Sequence, residues 1–347
     1  MVLSRPGRIA LYAASAALGV AALLMFAAAS LMVWGEHARV ARETKPAQAL
    51  APPGGRWVEA GDARLFIQEW GPADGPMLML AHGTGAWSGT WFELPATLAK
   101  AGWRVVAMDL PPFGFSRAAG DPAHADYTRA AQARRILTLI DAIGGRNVTL
   151  VGHSFGAGPA LEAALQGGAR LHALVLVDPA LGLGAEGQAP ACEPPGLADT
   201  LLSHAAMRRV LIGGIVTQPR FTAALLSQFV AREESVNAAR VPAYQRPFAQ
   251  PGFSGRLGDW ARTFARSSCE TAKSLDPAQL TRWSASGPPL TLIWGEQDSV
   301  TPPAQGRALK HWMPHAELVV IPDVGHIPHI EDPAAFSRAL LEAIKRP

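Results

Sequence analysis

The feature that most constrains the fold of this chain is a five-residue turn. Residues 152–156 read Gly-His-Ser-Phe-Gly, set between the apolar run Val148-Thr149-Leu150-Val151 and the Ala-rich stretch Ala157–Leu165. The run reads as a strand buried on both faces and the stretch as a helix. A strand passing into a helix across so tight a turn forces its central residue, Ser154, into a strained backbone geometry. The small residues two positions to either side make room for it. The hydroxyl then stands clear at the C-terminal edge of a sheet, in front of a helix N-terminus that favours developing negative charge.

The rest of the chain supplies such a sheet. Arg56–Ala60 and Ala63–Trp70 read as strands around the turn residues Gly61 and Asp62. Met77–Ala81, Arg104–Met108, Asn147–Val151, Leu174–Val177, Leu290–Trp294 and Leu318–Ile321 are apolar runs of strand length. Between them Trp91–Ala101, Thr128–Ile143, Gly156–Gln166 and the stretches from Pro302 and Pro333 read as helices, with Thr301 and Asp332 as N-caps before proline. Alternation of this kind means an α/β class with a mostly parallel sheet covered on both faces. It stops over Leu181–Ala285, which leans helical and is punctuated by proline. The expected layout is a core of residues 56–180 and 286–347, with 181–285 inserted as a helical cap.

Ahead of the core, Ile9–Trp34 carries no charged side chain. At about 1.5 Å per residue these positions span roughly 39 Å of helix, enough to cross a bilayer core of about 30 Å with some tilt. Arg5 and Arg8 precede the run and Trp34 closes it, as an aromatic interface anchor would. The expectation is an uncleaved transmembrane signal-anchor over residues 1–34, in contact with the membrane through 9–34; a cleaved signal is the alternative, with a shorter apolar core of about 7–15 residues as its usual form. Residues 35–55, polar and rich in Ala and Pro, read as a linker. Arg5 and Arg8 on one flank nearly balance Arg39, Arg42 and Lys45 on the other, and the signal-anchor reading favours a folded body on the periplasmic or extracellular face.

A serine hydroxyl needs a base to attack at neutral pH. His326, in Asp-Val-Gly-His-Ile-Pro-His after the strand Leu318–Ile321, lies on a loop at the same sheet edge as Ser154, with His329 as its rival. The base needs a carboxylate to fix its tautomer. Asp298 follows the strand Leu290–Trp294; Asp178, after Leu174–Val177, is the rival acid. Two backbone N–H groups must face the developing oxyanion. Phe155, directly after the serine, offers one. The loop His82-Gly83-Thr84-Gly85 offers the other, at Thr84 or, as runner-up, Gly83. His82 reads as packing under that loop. Trp87, Trp91 and His153 are candidate lining for a substrate pocket, although the two tryptophans read equally well as core.

Five segments together resemble the α/β-hydrolase superfamily, in the branch with an H-G-x oxyanion loop and a helical cap: His82–Gly85, Asp109–Ser116, Gly152–Gly156, Gly295–Asp298 and Gly325-His326. The resemblance implies a serine hydrolase working through an acyl-enzyme, with no metal and no organic cofactor. Serine at position 154 fits esterases, lipases, C–C bond hydrolases, lactonases and perhydrolases of that fold. The leading expectation is hydrolysis of a small-molecule carboxylic ester or related acyl bond. The alternatives are C–C cleavage of a diketone-like substrate and a non-catalytic binding protein on this fold.

Composition removes other classes. The net charge is only +3, and basic residues are scattered without interleaved aromatics, so no nucleic-acid surface is expected. The two cysteines, Cys192 and Cys269, form no C-x-x-C pair, which argues against a zinc or thioredoxin-like site. Both fall inside the cap, near its two ends, and a disulfide between them is expected if the domain faces an oxidising compartment.

Overall fold

A computed structural model of the chain describes residues 5–120, 124–184 and 186–345. Its strands are β1 (Arg56–Glu59), β2 (Ala63–Trp70), β3 (Met77–Ala81), β4 (Arg104–Met108), β5 (Arg117–Ala118), β6 (Val148–His153), β7 (Leu171–Val177), β8 (Leu290–Gly295) and β9 (Glu317–Ile321). They form one sheet in the order β1-β2-β4-β3-β6-β7-β8-β9, with β5 beside β2. The β1–β2 and β2–β4 pairs are antiparallel and every pair from β4 through β3 to β9 is parallel. The α/β-hydrolase architecture expected from the sequence is therefore the observed one.

Helices cover both faces. Ile136, Leu139 and Ile140 of the helix Arg129–Ala142 and Ala160, Leu161 and Ala164 of the helix Ala157–Gly167 pack one face against Met79, Val106 and Leu150. Leu94 and Leu98, with Phe336 and Leu340 of the C-terminal helix Pro333–Ile344, pack the other against Leu78, Leu80, Val151 and Ile293. Strands sandwiched this way expose neither face, which is why β3, β6 and β8 are buried along their whole length and, apart from Thr149, His153 and Thr291, apolar rather than alternating. After β7 the alternation gives way to helices, among them Leu197–Ser203, Ala205–Leu211, Pro219–Phe229 and Phe253–Phe264, and it resumes at β8.

Two local readings are corrected. The N-cap of the helix Pro303–Trp312 is Pro302, not Thr301, because the Thr301 hydroxyl is drawn into the site described below. Asp332 does cap its helix, accepting from the Ala335 amide at 2.8 Å. The stretch expected as a helix from Trp91 is a short 3-10 turn, Ser88–Trp91, followed by the helix Leu94–Lys100.

The N-terminal helix runs Arg5–Arg42, beyond the expected end at Trp34. It is long and apolar enough to cross a membrane, with a mean hydropathy of 2.3 over its most apolar window and none of that window buried. Tyr12, Leu18, Leu23, Leu24, Met25 and Phe26 all stand exposed. Residues 35–55 are not a free linker. The helix continues because Arg39 pairs with Glu36 and Glu43 one turn to either side, at 2.5 and 3.0 Å. It then docks on the cap. Gly35 crosses Gly214 so closely that a Cβ at 214 would lie 2.9 Å from the Gly35 Cα. Arg42 bonds the Gly213 carbonyl and the Thr217 hydroxyl. Buried Glu43 accepts from the amides of Gly252 and Ser254 at 2.9 and 2.8 Å, capping a cap helix whose own N-cap, Gly252, has no side chain to do so.

Candidate active site

Ser154 sits between β6 and the helix Ala157–Gly167 with φ of 50°, the strain expected of this turn. The flanking glycines are required by space. A Cβ on Gly152 would meet the Ala157 Cα at 2.7 Å, and one on Gly156 the His82 carbonyl oxygen at 2.5 Å. The turn is thus wedged between the next helix and the loop after β3. That loop passes directly over Ser154, since a Cβ on Gly83 would lie 3.1 Å from the Ser154 Cβ. Thr84 follows it to line a cavity under the cap, and Phe155 is buried against Trp260 and Phe113.

His82 fixes the loop from below. Its Nε2 accepts from the Leu110 amide at 3.0 Å, so its Nδ1 carries the proton and donates to the Gly83 carbonyl at 2.8 Å. Burial holds its pKa down at about 4. Asp109 anchors the neighbouring loop, accepting from the amides of Ser88 and Phe115 at 2.6 and 2.7 Å, and Gly114 leaves it room. Burial pushes the Asp109 pKa up to about 7.

The remaining polar residues converge on Ser154. His326 Nε2 is 2.8 Å from Ser154 Oγ, and His326 Nδ1 is 2.9 Å from Asp298 Oδ2. The Ser154 hydroxyl can therefore donate to Nε2 while Nδ1–H donates to the carboxylate. Thr301 also donates to Asp298 Oδ2, at 2.6 Å, and the amides of Val300 and Thr301 donate to Oδ1 at 2.8 and 2.9 Å. Burial alone would raise the Asp298 pKa, but the hydrogen bonds from His326 and Thr301 outweigh it and hold the carboxyl below its ordinary value.

Asp178, at the end of β7 with φ of 42°, stands one place behind. Its Oδ1 accepts from the Gly295 amide at 2.8 Å, and it makes no bond to His326. Burial and the neighbouring Asp298 charge push its pKa well above the ordinary carboxylate range. Among the described residues, Asp178, Asp298 and His326 are the group whose donor atoms lie close enough together, within 4.8 Å, to hold a cation. His326 Nδ1 is already engaged by Asp298.

Three pocket candidates are corrected. His153 is buried beneath the site, where Nε2–H donates to the His326 carbonyl at 2.8 Å and burial pulls its pKa down to about 3. Trp91 is core, packed against His153 and His329. Trp87 is buried against Phe115 and donates to the Ala243 carbonyl at 2.9 Å, tying core to cap. A cavity of about 290 Å³ on the cap side of the site is lined instead by Thr84 and Gly85 and by cap residues including Phe221, Leu225, Phe229, Tyr244 and Trp260; it adjoins the site through Phe229, which packs on His326, and Trp260, which packs on Phe155. None of its lining residues carries a charge. His329, the rival base, points away into a nest of Trp91, His153 and Phe336.

One residue escaped the sequence entirely. Buried Glu331 accepts from Gly325 and Ile327, at 2.9 and 3.1 Å, and from Ala231 and Arg232 of the cap, at 2.7 and 3.1 Å. Its carboxylate is the clamp between the His326 loop and the cap.

A sequence profile of the alpha/beta hydrolase fold family matches residues 76–333. The chain belongs to that family. It is 30% identical over 307 residues to the 2-hydroxymuconate semialdehyde hydrolase of Pseudomonas sp. (strain CF600), covering 83% of this chain and 92% of that one. An uncharacterized protein of Mycobacterium tuberculosis is 27% identical over 299 residues, covering 85% and 82%. Among solved structures, a membrane phospholipase A described as a bacterial virulence factor superposes with a TM-score of 0.62 at 23% identity, covering 97% of this chain and 98% of that one. A 2-hydroxy-6-oxo-6-phenylhexa-2,4-dienoate hydrolase from Rhodococcus superposes at 0.67 with 22% identity, covering 84% and 98%. The chain is accordingly a hydrolase of the alpha/beta hydrolase superfamily.

Proposed function

We propose that this hydrolase cleaves carboxylic esters with an apolar acyl group, through an acyl-enzyme on Ser154. The observation that carries the reading is the unbroken line Asp298–His326–Ser154 beneath an uncharged cavity. His326 Nε2 takes the hydroxyl proton as Ser154 Oγ bonds to the ester carbonyl carbon. The amides of Thr84 and Phe155 face the oxyanion. The tetrahedral adduct collapses, the carbon–oxygen bond to the alcohol breaks, and His326 gives its proton to the leaving oxygen. Water then attacks the acyl carbon, loses a proton to His326, and the carboxylic acid departs as Ser154 regains its proton. Asp298 keeps the imidazole in the required tautomer throughout and stabilises its cationic form.

The second reading, C–C hydrolysis, is favoured by the 30% identity to a semialdehyde hydrolase. The substrates named for those relatives are carboxylates, and an anion buried in this cavity would meet no cation. The ester reading fits the lining better. A panel of p-nitrophenyl esters of increasing acyl length, set beside a ring-cleavage dienoate, separates the two. Ester turnover rising with chain length supports the first reading. Turnover confined to the dienoate overturns it.

The domain arrangement belongs to the same reading: a core of 56–180 and 286–347, a cap of 181–285, and a membrane anchor ahead of them. The phospholipase likeness covers 97% of the chain, a span too long to omit the N-terminal helix. We infer that the catalytic domain faces the periplasmic or extracellular side. The Cys192–Cys269 bond across the cap favours this, since such bonds persist in oxidising compartments.

A further inference from the structure

The N-terminal helix and the catalytic cavity meet at one thin wall. Gly35 docks on Gly214, so the uncharged run of the helix ends at Trp34, beside the cap segment Ile212–Val216. That segment separates the helix Ala205–Leu211 from Pro219–Phe229, and the chain bends there by 76°. Its two faces serve two hollows. Ile212 and Val216 line the cavity that borders the Thr84-Gly85 loop over the site. Gly214 and Ile215 line an open groove of about 710 Å³ on the outside, completed by Trp34, Gln218, Pro219, Arg220 and Phe221. Phe221 lines both hollows.

The position of this groove decides its occupant. Trp34 closes an apolar run that water cannot accommodate, so a membrane that receives the helix has its surface at the groove. Ile215 is exposed there, an apolar side chain facing outward beside a membrane helix. A water-borne substrate has no use for an entrance at that level, and a lipid acyl chain does. Arg220 and Gln218 sit on the same rim, where a polar headgroup would remain.

We propose that the acyl chain of a bilayer lipid enters laterally through the groove beside Trp34, passes Phe221, and reaches Ser154 without leaving an apolar environment. The proposal rests on the ester-hydrolase reading and adds the substrate class and its route. Ile215 guides the chain at the mouth and Phe221 is the partition it must displace. Short soluble esters bypass the route.

The test uses the full chain reconstituted into phosphatidylcholine vesicles, with fatty-acid release and p-nitrophenyl butyrate hydrolysis measured on the same sample. Ile215→Asp places a charge at the mouth, outside the cavity. Fatty-acid release should fall by about tenfold or more, while kcat/KM for the butyrate ester stays within about twofold. Fluorophosphonate labelling at the wild-type rate certifies that the variant is folded. Ile215→Val should keep both activities. Equal losses on both substrates, or none on the vesicles, overturn lateral entry. A wild-type protein that cleaves the butyrate ester but releases no fatty acid overturns it too, and leaves the ester-hydrolase reading standing. Cleavage of neither ester defeats that reading itself.

Discussion

Glu331 holds the amides on either side of His326. The Gly325 and Ile327 N–H groups both donate to its carboxylate, which also receives Ala231 and Arg232 from the cap. His326 is thereby positioned by a residue five places along that never touches the serine. Glu331→Gln turns one acceptor oxygen into a donor and leaves at least one of those buried amides unpaired, at a cost of about 1–3 kcal/mol. The expected result is a kcat about tenfold lower with KM little changed. A fall in melting temperature with kcat intact would make Glu331 a structural clamp alone.

Asp298 and Asp178 are told apart by the same logic. Asp298→Asn should lower kcat by about 10⁴-fold, because the amide favours the wrong imidazole tautomer. Asp178→Asn should leave kcat within about tenfold and act mainly on stability, since Asp178 serves the Gly295 amide. Steady-state kinetics of the two purified variants decide the matter. The reverse pattern would move the acid to the end of β7.

Acid should weaken the fold through its buried histidines. His329 is held neutral, its pKa pulled well down by burial. Below about pH 6.5 the unfolded chain therefore takes up a proton that the folded one refuses, and stability falls as pH falls. His82 and His153 act in the same direction, while Asp109 and Asp178, whose pKa values are raised, act in the opposite one. The clean readout is a difference. His329→Phe should reduce the slope of unfolding free energy against pH, by about 0.7 kcal/mol per unit near pH 6.5 and by up to about 1.4 below it. Denaturant melts at a series of pH values measure it, and an unchanged slope would mean that His329 is already protonated in the folded protein.

The Cys192–Cys269 bond closes 77 residues of the cap, with Cα atoms 4.6 Å apart. Closing a loop of that size is worth about 4 kcal/mol by chain-entropy arguments. Alkylation of the unreduced, denatured protein should modify neither cysteine. Modification of both would remove the bond and the case for an outward-facing domain.

What was legible in the sequence follows from the range of the forces involved. β6, its turn and the following helix are written locally, in apolar runs and in glycines that nothing larger can replace, so the sheet and the turn that carries Ser154 were readable. The neighbourhood of His326 and Asp298 was readable because each follows a strand at the same edge. Thr301 looked like a helix cap because a threonine before Pro302-Pro303 has the pattern of one, whereas its hydroxyl turns back to Asp298, three residues earlier, which also holds His326 from a different strand end. Glu331 gave no signal, since its partners at 231 and 232 lie about a hundred positions away in the chain. Trp87 and Trp91 were ambiguous for a simple reason: size and apolarity suit core and pocket alike, and only packing separates them. The segment 35–55 read as a linker from its composition, although the Glu36, Arg39 and Glu43 spacing is that of a helix face.

The central claim is that Ser154 is the nucleophile. A fluorophosphonate probe, followed by peptide mass analysis, tests it most directly. The account predicts a single covalent adduct on Ser154, loss of p-nitrophenyl ester hydrolysis in step with labelling, and neither labelling nor turnover in Ser154→Ala, whose kcat should drop by about 10⁶-fold. An adduct on another residue, or a Ser154→Ala protein that hydrolyses within about tenfold of wild type, would contradict it.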